Sequence, residues 1–206
     1  MTQPSDDLRR EFGDIDIYVF DQLLRGRIAE GMRVLDAGCG GGRNIVYMMR
    51  RGLDVCGVDM NEQAIAAVRR LATELNPGSI AAERFRVEPV ERMSFGDGEF
   101  DVVLSSAVLH FARDEAHWWD MLREMWRVLA PGGMLFARLA TMIGHEARVQ
   151  PLGNRRYVMP DGSERFLVDE AFIVDATREI GGRLIDPIKT SVVQDLRSMM
   201  TWVVRK

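Results

Sequence analysis

The sequence predicts an α/β fold, a mostly parallel sheet with helices on both faces. Three observations carry that expectation. Short apolar runs alternate with amphipathic helical stretches along the chain. The run Val34-Leu35 passes through Asp36 into a glycine-rich turn, and a helical pattern starts at Arg43. A second apolar run, Leu53–Val58, ends in an acid at Asp59. At 206 residues and 47% hydrophobic content, the chain can bury a full core, and residues 1–206 read as one domain.

The elements follow in order. Asp14–Arg27 carries apolar residues at helical spacing and predicts a helix within an N-terminal cover, residues 1–30. A first strand covers Arg33–Asp36, and a helix covers Arg43–Arg51, stopped by Gly52. Asn61 caps a helix showing Ile65, Val68, Leu71 and Leu75 on one face, ended by Pro77-Gly78. Arg84–Glu88 predicts a third strand. Phe100–Ser106 predicts a fourth, with the unbroken apolar run Val102-Val103-Leu104 that suits a central parallel strand. After Asp114, Trp118, Met121, Leu122, Met125 and Leu129 recur at helical spacing and predict a core-facing helix. Ala130-Pro131-Gly132-Gly133 ends it, and Met134–Leu139 predicts strand five.

Arg155–Val168 breaks the alternation. Tyr157-Val158-Met159, Pro160-Asp161-Gly162 and Arg165–Val168 predict a β-hairpin. A helix over Asp169–Ile180 follows, ending at Gly181-Gly182, and then strands at Arg183–Lys189 and Leu196–Arg205. The 29 residues from Ala140 to Val168 far exceed the usual connection of about 2–6 residues. They mark a substrate-side insertion, residues 140–168.

Composition excludes several classes. No run of about 18 apolar residues exists, so no membrane span is expected. Met1–Arg10 is polar and lacks a signal core. Cys39 and Cys56 are the only cysteines, isolated from each other, which suits a reducing cytoplasm and forms no metal site. A net charge of −4 without a dense basic run makes nucleic acid an unlikely partner.

Asp36, Gly38, Gly40 and Gly42 fall at every second position, with Cys39 between the first two glycines. Glycine suits such a turn because it tolerates positive φ and lets a ligand approach bare backbone. A nicotinamide fingerprint from Gly38 requires glycine at 43, where Arg43 stands. Asp59 lies 21 residues after Gly38, the place of an acid that accepts hydrogen bonds from both ribose hydroxyls.

The pattern D-x-G-x-G-x-G resembles the first motif of class I S-adenosylmethionine (SAM) methyltransferases, and the likeness extends over Met32–Leu139. It implies a three-layer Rossmann-like methyltransferase fold, with a seven-stranded, mostly parallel sheet and the hairpin inserted after strand five. The implied strand order is 3-2-1-4-5-7-6, with strand seven antiparallel. The cofactor implied is S-adenosyl-L-methionine, leaving as S-adenosyl-L-homocysteine. The resemblance puts Met60 against adenine and Ser106 beside the methionine part. Relatives carry an adenine-contacting acid where this chain has Pro89. The Val90 amide and the Glu91 carboxylate are the candidate substitutes, against the alternative that Glu88 and Glu91 are simply solvated.

His110 is the candidate general base, since its ordinary pKa allows proton uptake at neutral pH, and a buried structural histidine is the alternative. His145 is a second base candidate, and His117 reads as structural or exposed. Strand four lacks the Asn/Asp-Pro-Pro-aromatic motif of planar-amine methylation, and neither cysteine lies near it for attack on cytosine. A small-molecule acceptor is therefore expected. Arg148, Arg155, Arg156 and Arg165 either clamp an anionic acceptor or form a solvated face. A SAM-binding protein without transfer activity and a nicotinamide oxidoreductase are the alternatives. Gly42-Arg43-Asn44 and Leu104-Ser105-Ser106 bear a faint likeness to tellurite-resistance methyltransferases.

Overall fold

A computed structural model describes residues 4–76, 82–194 and 196–206. The expected helix stop at Pro77-Gly78 lies outside the described residues. Five parallel strands form the centre: β1 (Arg33–Ala37), β2 (Asp54–Asp59), β3 (Phe85–Val87), β4 (Phe100–Ser106) and β5 (Leu129–Ala140). β6 (Gln150–Gly153), β7 (Arg156–Val158) and β8 (Glu164–Phe166) make a separate antiparallel sheet. β9 (Arg183–Leu184), β10 (Lys189–Val193) and β11 (Arg197–Arg205) complete the large one. Its order is β10-β11-β5-β4-β1-β2-β3, with β9 also on β11 and β11 antiparallel to β5. This is the expected seven-strand order, with strand six in two pieces.

The helices are α1 (Pro4–Phe12), α2 (Ile17–Leu24), α3 (Val46–Arg50), α4 (Glu62–Leu75), α5 (Glu115–Val128) and α6 (Glu170–Glu179). Four begin on side-chain caps that satisfy otherwise orphaned amides, α2 among them with Asp16 accepting from Tyr18. Asn61 accepts from Gln63 and Ala64, Asp114 from His117, and Asp169 from Phe172. One apolar layer, under α5 and α6, holds Trp118, Phe166, Phe172 and Trp202. The other, under α2 to α4, holds Val19, Ile45, Met48, Ile65 and Val68. Among the described residues, no helix is long and apolar enough to cross a membrane.

Several boundaries differ from expectation. The helix expected over Arg43–Arg51 shrinks to Val46–Arg50, because the glycine turn runs on to an Ile45 N–H bond to Gly42 O. β5 starts at Leu129, the expected end of the helix, and runs through the expected stop, where Gly132 and Gly133 pair with Lys206. The strand expected over Arg183–Lys189 is interrupted at Asp186-Pro187. Asp186 there is buried, and takes Gln22, Arg25 and Arg27 as partners, which ties the end of α2 to the sheet edge.

The insertion has three strands rather than two. Asn154 and Arg155, at φ 51° and 59°, make the tight turn that joins β6 to β7. Its return strand is core: Phe166, Leu167 and Val168 are fully buried, and Phe166 stacks on Trp118. The stretch expected to be an inserted hairpin is therefore anchored in the fold.

Candidate functional site

The site starts where β1 leaves the sheet. Gly38, Gly40 and Gly42 adopt φ of 83°, 51° and 87°, which L side chains rarely take. The amides of Gly38 and Cys39 both donate to Val58 O, at 2.8 and 2.9 Å, and fold the turn onto the end of β2. The glycines differ in what surrounds them. A Cβ on Gly38 would lie 2.4 Å from Val108, and one on Gly42 2.7 Å from Val68. A Cβ on Gly40 would meet nothing within 4 Å. Two glycines serve packing, and Gly40 presents open backbone.

Asp59 closes the same corner. Its Oδ2 accepts from the Gly40 amide at 2.9 Å and its Oδ1 from the Asn61 amide at 2.8 Å. Each oxygen keeps a further lone pair. Asp36, beneath the turn, is fully buried and neither of its oxygens has a hydrogen bond. Burial pushes its pKa up to about 7; the Arg43 charge opposes the shift and Asp59 adds to it. Cys39 is buried with its sulfur against Gly57.

A cleft of about 230 Å³ opens beside this corner. It gathers five of the expected cofactor residues, Gly38, Asp59, Met60, Val90 and Glu91. Ala107, Val108, Phe111, His117 and Met121 complete its wall. Met60 and Phe111 leave large apolar surfaces in solvent at its mouth, 71% and 57% exposed. Ala107 sits at φ 66°, a sparsely populated conformation for a residue with a side chain. Glu91 Oε1 lies 3.1 Å from His117 Nε2, and His117 Nδ1 accepts from the Arg113 amide. His117, expected to be structural or exposed, keeps its ring 12% exposed on the cleft wall. Glu88 is held by the amide and hydroxyl of Ser94.

Ser106 lies outside that cleft, at the end of β4. Its hydroxyl accepts from Arg43 at 3.1 Å and lies 3.4 Å from Asp16 Oδ2. Asp16, the N-cap of α2, also pairs with Arg138 at 2.6 Å. The motif scan missed Asp16 and Arg138, because 90 and 122 residues separate Asp16 from Ser106 and Arg138. Their one local signal is a charged residue bordering each apolar run.

His110 is buried, and its Nδ1 accepts from the Ala140 amide at 3.2 Å. The neutral ring then carries its proton on Nε2 and has no free lone pair. Burial, aided by the Arg165 charge, pushes its pKa down to about 4. This is the geometry of the structural alternative. His145 is also buried, without a hydrogen-bond partner at either ring nitrogen. The insertion arginines take separate partners: Arg155 pairs with Asp169, Arg156 with Glu164, and Arg165 lies 4.7 Å over the Phe111 ring.

Two outcomes follow from this geometry. Gly40→Ala costs the fold only about 1 kcal/mol of left-handed strain, yet weakens S-adenosylhomocysteine binding at least about tenfold by filling the open face. Gly38→Ala instead loses roughly 2–5 kcal/mol of stability through strain and the Val108 clash. Calorimetry with thermal unfolding checks both, and unchanged affinity in Gly40→Ala contradicts the assignment. For His110, the folded protein holds fewer protons than the unfolded chain between about pH 6.5 and pH 4. Its contribution is therefore present above pH 6.5 and is lost as pH falls toward 4. His110→Gln should flatten that acid limb of the melting temperature, with Asp36 acting equally in both proteins. Parallel pH curves would contradict the shift.

Comparisons with known proteins agree with the geometry. A family model described as a methyltransferase domain matches residues 35–137. The ubiquinone biosynthesis O-methyltransferase of Chelativorans sp. (strain BNC1) is 31% identical over 186 residues, 83% of this chain and 71% of that protein. The enzyme of the same name from Acinetobacter baumannii (strain AYE) is 33% identical over 139 residues, 62% of this chain. The match spans only 56% of that relative's length. Among solved structures, Burkholderia thailandensis 1,6-didemethyltoxoflavin-N1-methyltransferase superposes with a TM-score of 0.71 at 19% identity, covering 98% of this chain and 82% of that one. That likeness shows the shared fold, and the family match and the Chelativorans relative show more: the chain belongs to the class I SAM-dependent methyltransferases.

Proposed function

We propose that this protein transfers a methyl group from S-adenosylmethionine to a small-molecule acceptor. The observation that carries this is the meeting of both nucleotide motifs at one cleft. Gly40 offers open backbone and donates to Asp59, and Asp59 shares the cleft wall with Met60, Val90 and Glu91. The names of the relatives support it, since two are O-methyltransferases of ubiquinone biosynthesis. The Burkholderia structure contains bound 1,6-didemethyltoxoflavin and S-adenosylhomocysteine.

The residues fit such a donor. Asp59 has lone pairs left for two ribose hydroxyls. Met60 and Val90 offer apolar faces to adenine, and Glu91 offers an acceptor for its exocyclic amine, standing in for the acid that Pro89 displaces. Gly38, Cys39, Gly40 and Gly42 shape the turn under the donor, and Ser106 with Arg43 borders its methionine end. The bound donor supplies an electrophilic methyl group on a sulfonium. The work left to this chain is to hold, orient and shield the two reactants. Residues 140–168 flank the acceptor side, where Arg165 of β8 covers Phe111 at the cleft mouth. His110 braces the end of β5 through the Ala140 amide rather than serving as the base.

Asp59→Ala removes the ribose acceptor. S-adenosylhomocysteine affinity should fall roughly 30- to 1000-fold, about 2–4 kcal/mol, with the far-UV spectrum unchanged. Calorimetry reads it directly. An unchanged dissociation constant, or saturable NAD binding with none for S-adenosylhomocysteine, contradicts the proposal.

A further inference from the structure

The face of the large sheet under α2 changes character at one row. Ser106 of β4 pairs in register with Arg138 of β5, Arg138 with Thr201 of β11, and Thr201 with Lys189 of β10. Directly opposed residues point to the same face, so four polar side chains form one line across four strands. The row before it is apolar: Leu104, Phe136 and Val203 belong to the core under α2 to α4. A polar row at the carboxyl edge of the strands, beside the cofactor corner, is where an open α/β sheet places ligands.

Tyr18 of α2 roofs this row. Its ring lies 5.2 Å from the Arg138 guanidinium and 5.9 Å from the Lys189 ammonium, and its hydroxyl is 2.6 Å from Ser191 Oγ. Two polar atoms of the row are buried and unpartnered, Arg138 Nε and Thr201 Oγ1, and Thr201 is only 3% exposed. The acids facing the row are Asp16, on Arg138, and Asp21, 3.9 Å from Lys189. Arg25 holds Asp21 more closely, at 2.9 Å, which leaves Lys189 without a close acid. Such a row has donors without acceptors and a positive excess, which suits a carboxylate.

We infer that this row binds the acceptor, and that the acceptor carries a carboxylate held by Arg138 and Lys189 under Tyr18. The inference rests on the proposed methyl transfer and names the substrate class for it. The donor's own carboxylate fits less well. Asp59 and Ser106 mark a donor lying over β2, β1 and β4, whereas Lys189 stands three strands past Ser106, about 14 Å away at roughly 4.8 Å per strand. Arg43, which touches Ser106 from the glycine side, is the cation nearer that donor.

Calorimetry on protein saturated with S-adenosylhomocysteine tests this, using 4-hydroxybenzoate and phenol as probes. The benzoate should bind at least about tenfold tighter than phenol. Lys189→Gln should shrink that ratio and Lys189→Glu abolish it, with S-adenosylhomocysteine affinity unchanged in both. Arg138→Lys, which keeps the charge but loses the fork, should shrink the ratio as well. Equal affinity for the two probes, or no binding of the benzoate, overturns the inference and leaves methyl transfer standing. A Lys189→Glu protein that loses S-adenosylhomocysteine affinity assigns the row to the donor instead. If wild-type protein fails to bind S-adenosylhomocysteine in the first titration, the methyl-transfer proposal fails, and this inference with it.

Discussion

The hydrogen bond from the Gly40 amide to Asp59 is the contact on which the rest of the site depends. It joins the turn after β1 to the end of β2 and fixes an acid beside bare backbone. For the turn to reach it, three alternate residues must take positive φ, and two of them must also let Val108 and Val68 approach closely. Glycine meets both demands. The cost is a turn with no side chains of its own to pack. Neighbours compensate: Val58 O accepts two of its amides, and Cys39 fills the space over Gly57.

A second constraint acts further along the sheet. α2 packs its apolar side on the sheet, but its first turn overlies polar residues. Asp16 therefore serves two ends at once, capping α2 through the Tyr18 amide and pairing with Arg138. The other end of α2 is held by Asp186, whose carboxylate meets Gln22, Arg25 and Arg27. Breaking a buried pair leaves an uncompensated charge, so these contacts fix the helix in place more than they add net stability. Positioned in this way, α2 becomes the roof of the acceptor side.

What could be read from the sequence was local. Asn61 caps its helix through amides two and three residues on, so local spacing alone marked it. β4 was legible because both of its faces are buried and Val102-Val103-Leu104 runs unbroken between Asp101 and Ser105. The glycine corner was legible because its chemistry is written in consecutive residues. β6 was not, since all four of its residues are exposed and show no alternation. The break at Asp186-Pro187 has a local signal in the proline, whereas the row through Arg138, Thr201 and Lys189 depends on strand register, which no single segment carries. The pairing of His117 with Glu91 likewise joins two segments that local spacing does not connect.

A crystal structure of the S-adenosylhomocysteine complex tests the central claim most directly. The account predicts adenine between Met60 and Val90, both ribose hydroxyls on Asp59, and the homocysteine end running past Gly40 toward Ser106. Density placing the ribose away from Asp59, or leaving the face of Gly40 bare, would contradict it.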